Sequence, residues 1–406
     1  MNYICFVPLI GGMALANEKA TGEKPMYVLS YPGFAKNEKN LKDYWPNVKW
    51  HVLDPETNRP TEALNHGHVD FVSSVCPCAG MSGLNTANRG AYCPTNDWLY
   101  KTAEYTLSEI KPTVYWGENA PGLYSDQNSP VLENLRKIGQ KYGYAFTIYK
   151  TDSQLHGIPQ RRVRTFFFFW KGNRCPIVEW INIEPQPFEE FILDKNTGEE
   201  TWYAGGENVD PADRFPEMDW ILQTRCGGDY SEYVKFFYNE IDKHHIRDPY
   251  GYITHYNLWD EYRNWLVMDP RANRPVNKGG KQTPLYYVDY RKDKIMSGKG
   301  YFAQQPIVYK GVTSAIISKN MCSTLHPTEQ RFLNTREIMS LMGLPSDFKL
   351  TSKNVQHITQ NVPVNTAKTI TDQVIKFING ELEMTDYIFV KQNNLNQKIE
   401  FTEEAA

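Results

Sequence analysis

Three clusters in this sequence bring together a thiol, a carboxylate and guanidinium groups, the residue types that nucleophilic attack, proton donation and anion stabilisation use. The first is Cys76-Pro77-Cys78, at the end of the apolar run 69–75. Pro77 cannot extend a strand, and Gly80, Ser82 and Gly83 follow it, so the thiols sit where a buried strand opens into a loop. The second is Trp116-Gly117-Glu118-Asn119-Ala120-Pro121-Gly122-Leu123, which puts a carboxylate just after another strand-like run. The third is Gly157-Ile158-Pro159-Gln160-Arg161-Arg162-Val163-Arg164, with three guanidiniums ahead of a Phe-rich run. Taken singly, each has an ordinary explanation. Cys76 and Cys78 could be half-buried structural thiols, Glu118 a capping acid, and the arginines partners of surface carboxylates.

The elements that must position them are those of an alternating α/β chain. Strand patterns fall at 3–10, 26–31, 48–53, 69–75, 112–116, 144–149 and 165–170. Between them come Gly11-Gly12 with a helical 13–20, and Ser129-Pro130 as an N-cap and first helical residue before Val131, Leu132, Leu135 and Ile138. Phe166 to Phe169 is four consecutive phenylalanines, which suits a strand buried on both faces of a parallel sheet. In open α/β sheets ligands bind at the carboxyl ends of the strands, and these three clusters all lie at strand ends. The fold class expected is a doubly wound α/β domain with a second, smaller and irregular domain.

Composition narrows the partners. The 406 residues carry a net charge of −3, so a nucleic-acid partner requires a local basic face. Such a face is available in 263–299, where nine Lys or Arg stand against three Asp, interleaved with Trp265, Tyr286, Tyr287 and Tyr290. Seven scattered cysteines do not form a secreted disulfide framework, which favours a reducing compartment. The apolar stretch 4–16 ends in Ala14-Leu15-Ala16 but lacks the basic residues that precede a signal sequence. No run is long enough to span a membrane. Periodicity is lost over 175–317, and residues from about 381 read as a polar acidic tail.

Order and spacing together carry a resemblance. Pro77-Cys78, Glu118-Asn119, Gln160-Arg161-Arg162-Val163-Arg164, Thr335-Arg336-Glu337 with Gly343-Leu344-Pro345, and Asn361 are similar to the motifs of the DNA (cytosine-5) methyltransferases. The likeness covers about 1–170 and 323–375, with 175–317 in the place of the variable target-recognition domain. It implies a discontinuous catalytic domain of 1–174 and 318–380, a recognition domain of 175–317 and the tail 381–406. It also implies S-adenosylmethionine as cofactor and no metal. The substrate would be a cytosine flipped out of double-stranded DNA, and the enzyme would act as a monomer. Cys78 would add to C6, Glu118 would protonate N3, Arg164 would face O2, and Arg162 would support Glu118 or the loop. Phe6, Gly11, Gly12, Asp54, Pro77, Asn361 and Val362 would hold the cofactor.

The match thins on the cofactor side. Leu9 stands where the family has the first glycine of its turn, and Leu tolerates a positive φ poorly, so a different backbone path is expected there. After the second strand, Ser30 and Tyr31 replace the acid that would bind the ribose, and Glu38 is the nearest carboxylate. Ala79 replaces the Gln after the nucleophile, and Gln360 the Gly before Asn361. Four alternatives stay open: RNA cytosine as substrate, a related alkyl donor, a non-catalytic DNA-binding relative, and a thiolate metal site at Cys76, Cys78 and Cys93.

Overall fold

The computed structural model describes residues 1–77, 80–82, 90–198, 201–203, 208–246, 249–275, 282–299, 305–317, 321, 323–350 and 355–404. They divide into two compact units, Met1–Gln186 with Met339–Ala406, and Pro187–Ile338.

The first unit is built on one nine-stranded sheet. Its strands are β1 (Tyr3–Phe6), β2 (Tyr27–Ser30), β3 (Lys49–Val52), β4 (Phe71–Val75), β5 (Val114–Asn119), β6 (Tyr144–Asp152), β7 (Val163–Lys171), β8 (Tyr387–Asn393) and β9 (Lys398–Glu404). The spatial order is β9-β8-β6-β7-β5-β4-β1-β2-β3. Strands β1 to β5 pair in parallel, with α1 (Gly12–Thr21), α2 (Ala35–Tyr44) and α3 (Asp97–Tyr105) in the connections. The order reverses at β1, which lies between β2 and β4, and this switch point is where an open α/β sheet takes a ligand. Helix α4 (Ser129–Lys141) carries Pro130 in its first turn and buries Val131, Leu132 and Leu135, as the N-cap reading expects.

The Phe-rich strand β7 is fully buried from Thr165 to Trp170, but it runs antiparallel to both β5 and β6. The parallel expectation fails because too few residues separate β6 from β7. A parallel return needs a crossover of a dozen or more residues, and only 153–162 are available. Residues 387–404, read from composition as part of a polar tail, form the antiparallel pair β8 and β9 and extend the sheet. Their polarity is that of an outer strand, since β9 is exposed or half-exposed along its length.

The second unit is helical where the periodicity is lost. Its longer helices are α5 (Pro216–Arg225), α6 (Tyr230–His244), α7 (Trp259–Met268) and α8 (Pro284–Met296). Helix α5 buries Met218, Trp220, Ile221 and Leu222 together with Glu217, so no single apolar stripe marks it. Helix α6 does carry a stripe, Tyr230, Tyr233, Val234 and Phe237, and Asp229 caps it by accepting from Ser231 N–H at 2.7 Å. The reading of 175–317 as lacking periodicity fails for this helix, whose stripe stands in the sequence. Among the described residues, no helix is long and apolar enough to cross a membrane.

Candidate active site

Strand β4 ends at Val75, which is paired in register with Glu118 on β5, and Glu118 in turn lies opposite Phe166 on β7. Three neighbouring strands thus bring the thiol segment, the carboxylate and the arginines to one end of the sheet. Cys78 and Ala79 lie outside the described residues. Pro77 and Cys76 are described: Cys76 is buried, its sulfur 3.4 Å from Ser74 Oγ, and the Pro77 carbonyl accepts from Asn119 Nδ2 at 3.5 Å. Asn119 Oδ1 also accepts from Ala120 N–H at 2.8 Å, which fixes the amide. Gly117 is required between them, because a Cβ there would sit 2.6 Å from Ser74 Oγ.

Glu118 lies inside β5 rather than after it and is 5% exposed. Its Oε2 has no hydrogen-bond partner among the described residues, and the nearest cation is Arg164 Nε at 3.6 Å. Burial pushes the Glu118 carboxyl above the usual carboxylate range, against the pull of Arg164 and then Arg162. Arg164 is steered by its own strand, donating from Nη1 to the Val163 carbonyl at 2.8 Å. Arg162 points elsewhere. Its Nη2 donates to the carbonyls of Thr359 at 2.7 Å and Asn361 at 2.8 Å, and the residue is 2% exposed. It therefore ties the arginine segment to the chain that ends in Asn361 and Val362.

That segment closes over the turn after β1. Gly11 has φ +108° and donates to the Pro8 carbonyl at 2.9 Å, while Asn361 Nδ2 donates to the same carbonyl at 3.2 Å. A Cβ on Gly12 would overlap the Val362 carbonyl oxygen and stand 2.9 Å from Asn361 Cγ. The turn keeps its left-handed path without the family's first glycine: Leu9 has φ +53° and Val7 φ +46°. The different backbone path expected from Leu9 is not taken. Leu9 and Val7 instead hold a conformation that side chains disfavour, and strain of this kind collects at functional sites. Phe6 is buried below the turn, edge-on to Tyr105 at 6.3 Å.

The structure gathers Phe6, Gly11, Gly12, Asn361 and Val362 around this turn, and Asp54 follows β3. One Asp54 oxygen accepts from Glu56 N–H at 2.7 Å. Sequence reasoning left the end of β2 without an acid. Helix α2 supplies one, since Glu38 is fully buried and accepts a hydrogen bond from Ser30 Oγ, while its Oε2 has no partner among the described residues. Burial raises the Glu38 carboxyl to about 7. The signal that could have found it is helical: Glu38 is one turn ahead of Leu41, whose methyls lie against Gly11.

The C-5 cytosine-specific DNA methylase family model matches residues 6–376. The chain belongs to that family. It is accordingly a DNA cytosine-5 methyltransferase. The Type II methyltransferase M.PspPI of Psychrobacter is 22% identical over 383 residues, covering 91% of this chain and 78% of that protein. M1.HphI of Haemophilus parahaemolyticus is 20% identical over 325 residues, covering 78% and 71%. M.AgeI of Thalassovita gelatinovora is 29% identical over 117 residues, so this chain matches 27% of its length. A structure described as that of a DNA modification methyltransferase encoded within an Escherichia coli prophage aligns with a TM-score of 0.57 at 13% identity. It covers 93% of this chain and 99% of its own, which shows a shared fold.

The remaining family motif has a structural role visible in the second unit. Asn334 Oδ1 accepts from Glu337 N–H at 2.9 Å and Glu337 Oε2 accepts from Asn334 N–H at 2.8 Å, a reciprocal cap on the helix that starts at Thr335. Glu337, fully buried, also takes both Nη atoms of Arg331, at 2.7 and 2.9 Å.

Proposed function

We propose that this chain transfers a methyl group from S-adenosylmethionine to C5 of a cytosine flipped out of double-stranded DNA, by way of a covalent Cys78–C6 adduct. The observation that supports this most is Glu118, a buried carboxyl raised by desolvation, one β-pair from the strand that leads into Pro77-Cys78 and 3.6 Å from a guanidinium. Cytosine C5 is a poor nucleophile until a group adds at C6. A thiolate adds readily near neutral pH, forming the Sγ–C6 bond as ring electrons move toward N3. Glu118, whose protonated form burial favours, hands its proton to N3, and Arg164 meets the negative charge that gathers on O2. Arg162 holds the segment before Asn361 and so supports the site from outside it. With the cofactor bound, the activated C5 would take its methyl group and leave the demethylated cofactor; a base then takes the C5 proton, the C5–C6 double bond re-forms as the Sγ–C6 bond breaks, and the N3 proton returns to Glu118.

S-adenosylmethionine, when bound, supplies an electrophilic methyl group. The residues fit such a group: a glycine turn braced by Asn361 and Val362, Phe6 at the end of the strand before it, Asp54 for the adenine amine, Pro77 among the residues that would line the site, and Glu38 with a buried oxygen unpartnered among the described residues for polar hydroxyls. The names of the relatives support a place in a restriction-modification system; we place the enzyme in the cytoplasm of a bacterial or phage-infected cell, acting as a monomer. The second unit is the target-recognition domain. Nucleoside mass spectrometry on DNA and RNA from cells expressing this chain, beside Cys78→Ala, tests the reading. Cys78-dependent 5-methylcytosine in DNA is expected. A heavier cytosine would indicate a related alkyl donor, 5-methylcytosine confined to RNA would move the substrate, and unmodified cytosine in both would overturn the reaction.

A further inference from the structure

Helix α8 has an outward face that the fold leaves unused. Thr283 Oγ1 accepts from Tyr286 N–H at 3.2 Å, Pro284 fills the first turn, and Leu285 N–H donates to the Ala272 carbonyl at 3.1 Å. Three inward contacts fix the rotation of the helix. Val288 is fully buried, Arg291 reaches Glu217 at 3.3 Å and lies 4.3 Å over the Tyr250 ring, and Asp289 accepts from Arg263 at 3.0 Å. Tyr286 and Tyr290 are left facing solvent, 47% and 40% exposed, stacked one turn apart with ring centroids 6.0 Å apart. Lys294 Nζ lies 5.3 Å over Tyr290, and Lys292 Nζ 5.3 Å over Trp259. Among the described residues, Arg274, Lys292, Lys294 and Lys299 have no ion pair, and Asp293 is the exposed acid on this helix. Lys278 and Lys281 precede the helix in sequence.

We infer that this face of α8 is the element of the second unit that seats against duplex DNA, with Lys294, Lys299 and Arg274 on phosphates and Tyr286 and Tyr290 toward base edges. The inference rests on the proposed reading of this chain as a DNA methyltransferase. Duplex DNA is the occupant that the charge favours: unpaired cations gathered on a protein of net charge −3 need a dense anion. A helix matches the width of the major groove, and tyrosine offers both a flat ring and a hydroxyl there. Phosphate contacts position without reading sequence, whereas contacts at base edges specify. The two groups of side chains should therefore fail in different ways.

The test uses the full chain and a fluorescent random-sequence 30-base-pair duplex, with anisotropy followed over a salt series. Lys294→Gln and Lys299→Gln combined should weaken binding at least tenfold at low salt and flatten the log–log salt slope by about 2. Lys→Arg at the same positions should restore it. Tyr286→Ala with Tyr290→Ala should leave random-duplex affinity within about threefold but change or abolish the sequence context of methylation, read by bisulfite sequencing of host DNA. Circular dichroism melts identify any variant that loses stability, and the Arg set then serves as the folded control. Variants that bind and methylate like the parent would overturn the role of α8 while the methyltransferase reading stood. A parent that neither methylates DNA nor binds the duplex in a salt-dependent way would overturn both.

Discussion

Gly12→Ala tests whether the turn after β1 and the Asn361-Val362 segment work as one clamp. Gly12 does not have a positive φ, so alanine carries no backbone penalty there, and any effect comes from one methyl group. That methyl would overlap the Val362 carbonyl oxygen and stand 2.9 Å from Asn361 Cγ, where ordinary contacts begin near 3.4 Å. Either the first turn of α1 or the 361–362 segment must shift. Overpacking of this size costs about 1–3 kcal/mol. For a unit this large, that lowers Tm by roughly 2–4 °C per kcal/mol. The shift also moves the Pro8 carbonyl that Gly11 and Asn361 share, so S-adenosylhomocysteine, titrated calorimetrically, should bind at least tenfold more weakly. Gly22→Ala is the contrast. It has φ +73° with nothing within 4 Å of a Cβ, so it should cost about 1 kcal/mol of stability and leave ligand affinity unchanged. A Gly12→Ala protein that melts within 1 °C of the parent and binds the ligand within twofold would refute the clamp.

Leu9→Gly should raise stability by about 1 kcal/mol in urea unfolding, since it relieves a left-handed leucine, and a fall in stability would mean that Leu9 packing outweighs its strain. Glu337→Ala leaves Arg331 with Glu329 alone and uncaps the helix at Thr335, so it should destabilise the second unit by about 3 kcal/mol; a loss under 1 kcal/mol would count against a buried pair of that weight. His156 is buried between Thr151 and Thr369, and desolvation lowers its pKa to about 3. The unfolded chain therefore takes up this proton first, so its contribution is complete above about pH 6.5 and is lost as pH falls toward 3. Between pH 7 and 4.5 the loss is ~2.5 kcal/mol, and His156→Asn should flatten that acid limb in chemical denaturation; an unchanged acid limb would refute it.

Much of the first unit could be read from the chain because its strands are short, buried runs with glycine or proline at their ends. β4 is buried at every position and stops at Pro77, and α4 announces itself with Ser129-Pro130. Direction was harder to read than burial. Phe166 to Phe169 looks the same in a parallel or an antiparallel strand, and the length of 153–162 is what decides it. The edge strands were missed because an outer strand needs few apolar residues, and β9 has little more than Ile399 and Phe401. In the second unit, burial of Glu217 beside Met218, Trp220, Ile221 and Leu222 in α5, and tyrosines on more than one side of α8, hide the helical period, although α6 shows it. Among the candidate site residues, Glu118 and Arg164 were named from local motifs, and the structure brings them to 3.6 Å of each other. Glu38 was named only as the nearest carboxylate, because it reaches the end of β2 from a helix, which no spacing along the strand reveals.

The bond from Asn361 Nδ2 to the Pro8 carbonyl joins residues 353 positions apart. On a ribosome adding about 5–20 residues per second, roughly 20–70 s separate the synthesis of the two partners. The second unit is one uninterrupted segment and is made in full within that interval, so it is free to condense while the first still lacks its last 68 or so residues. The turn at Pro8 is thus made 353 residues before the amide that braces it, and a chain that stops before Asn361 would carry Glu118 and Arg164 without that bond on the Pro8 carbonyl.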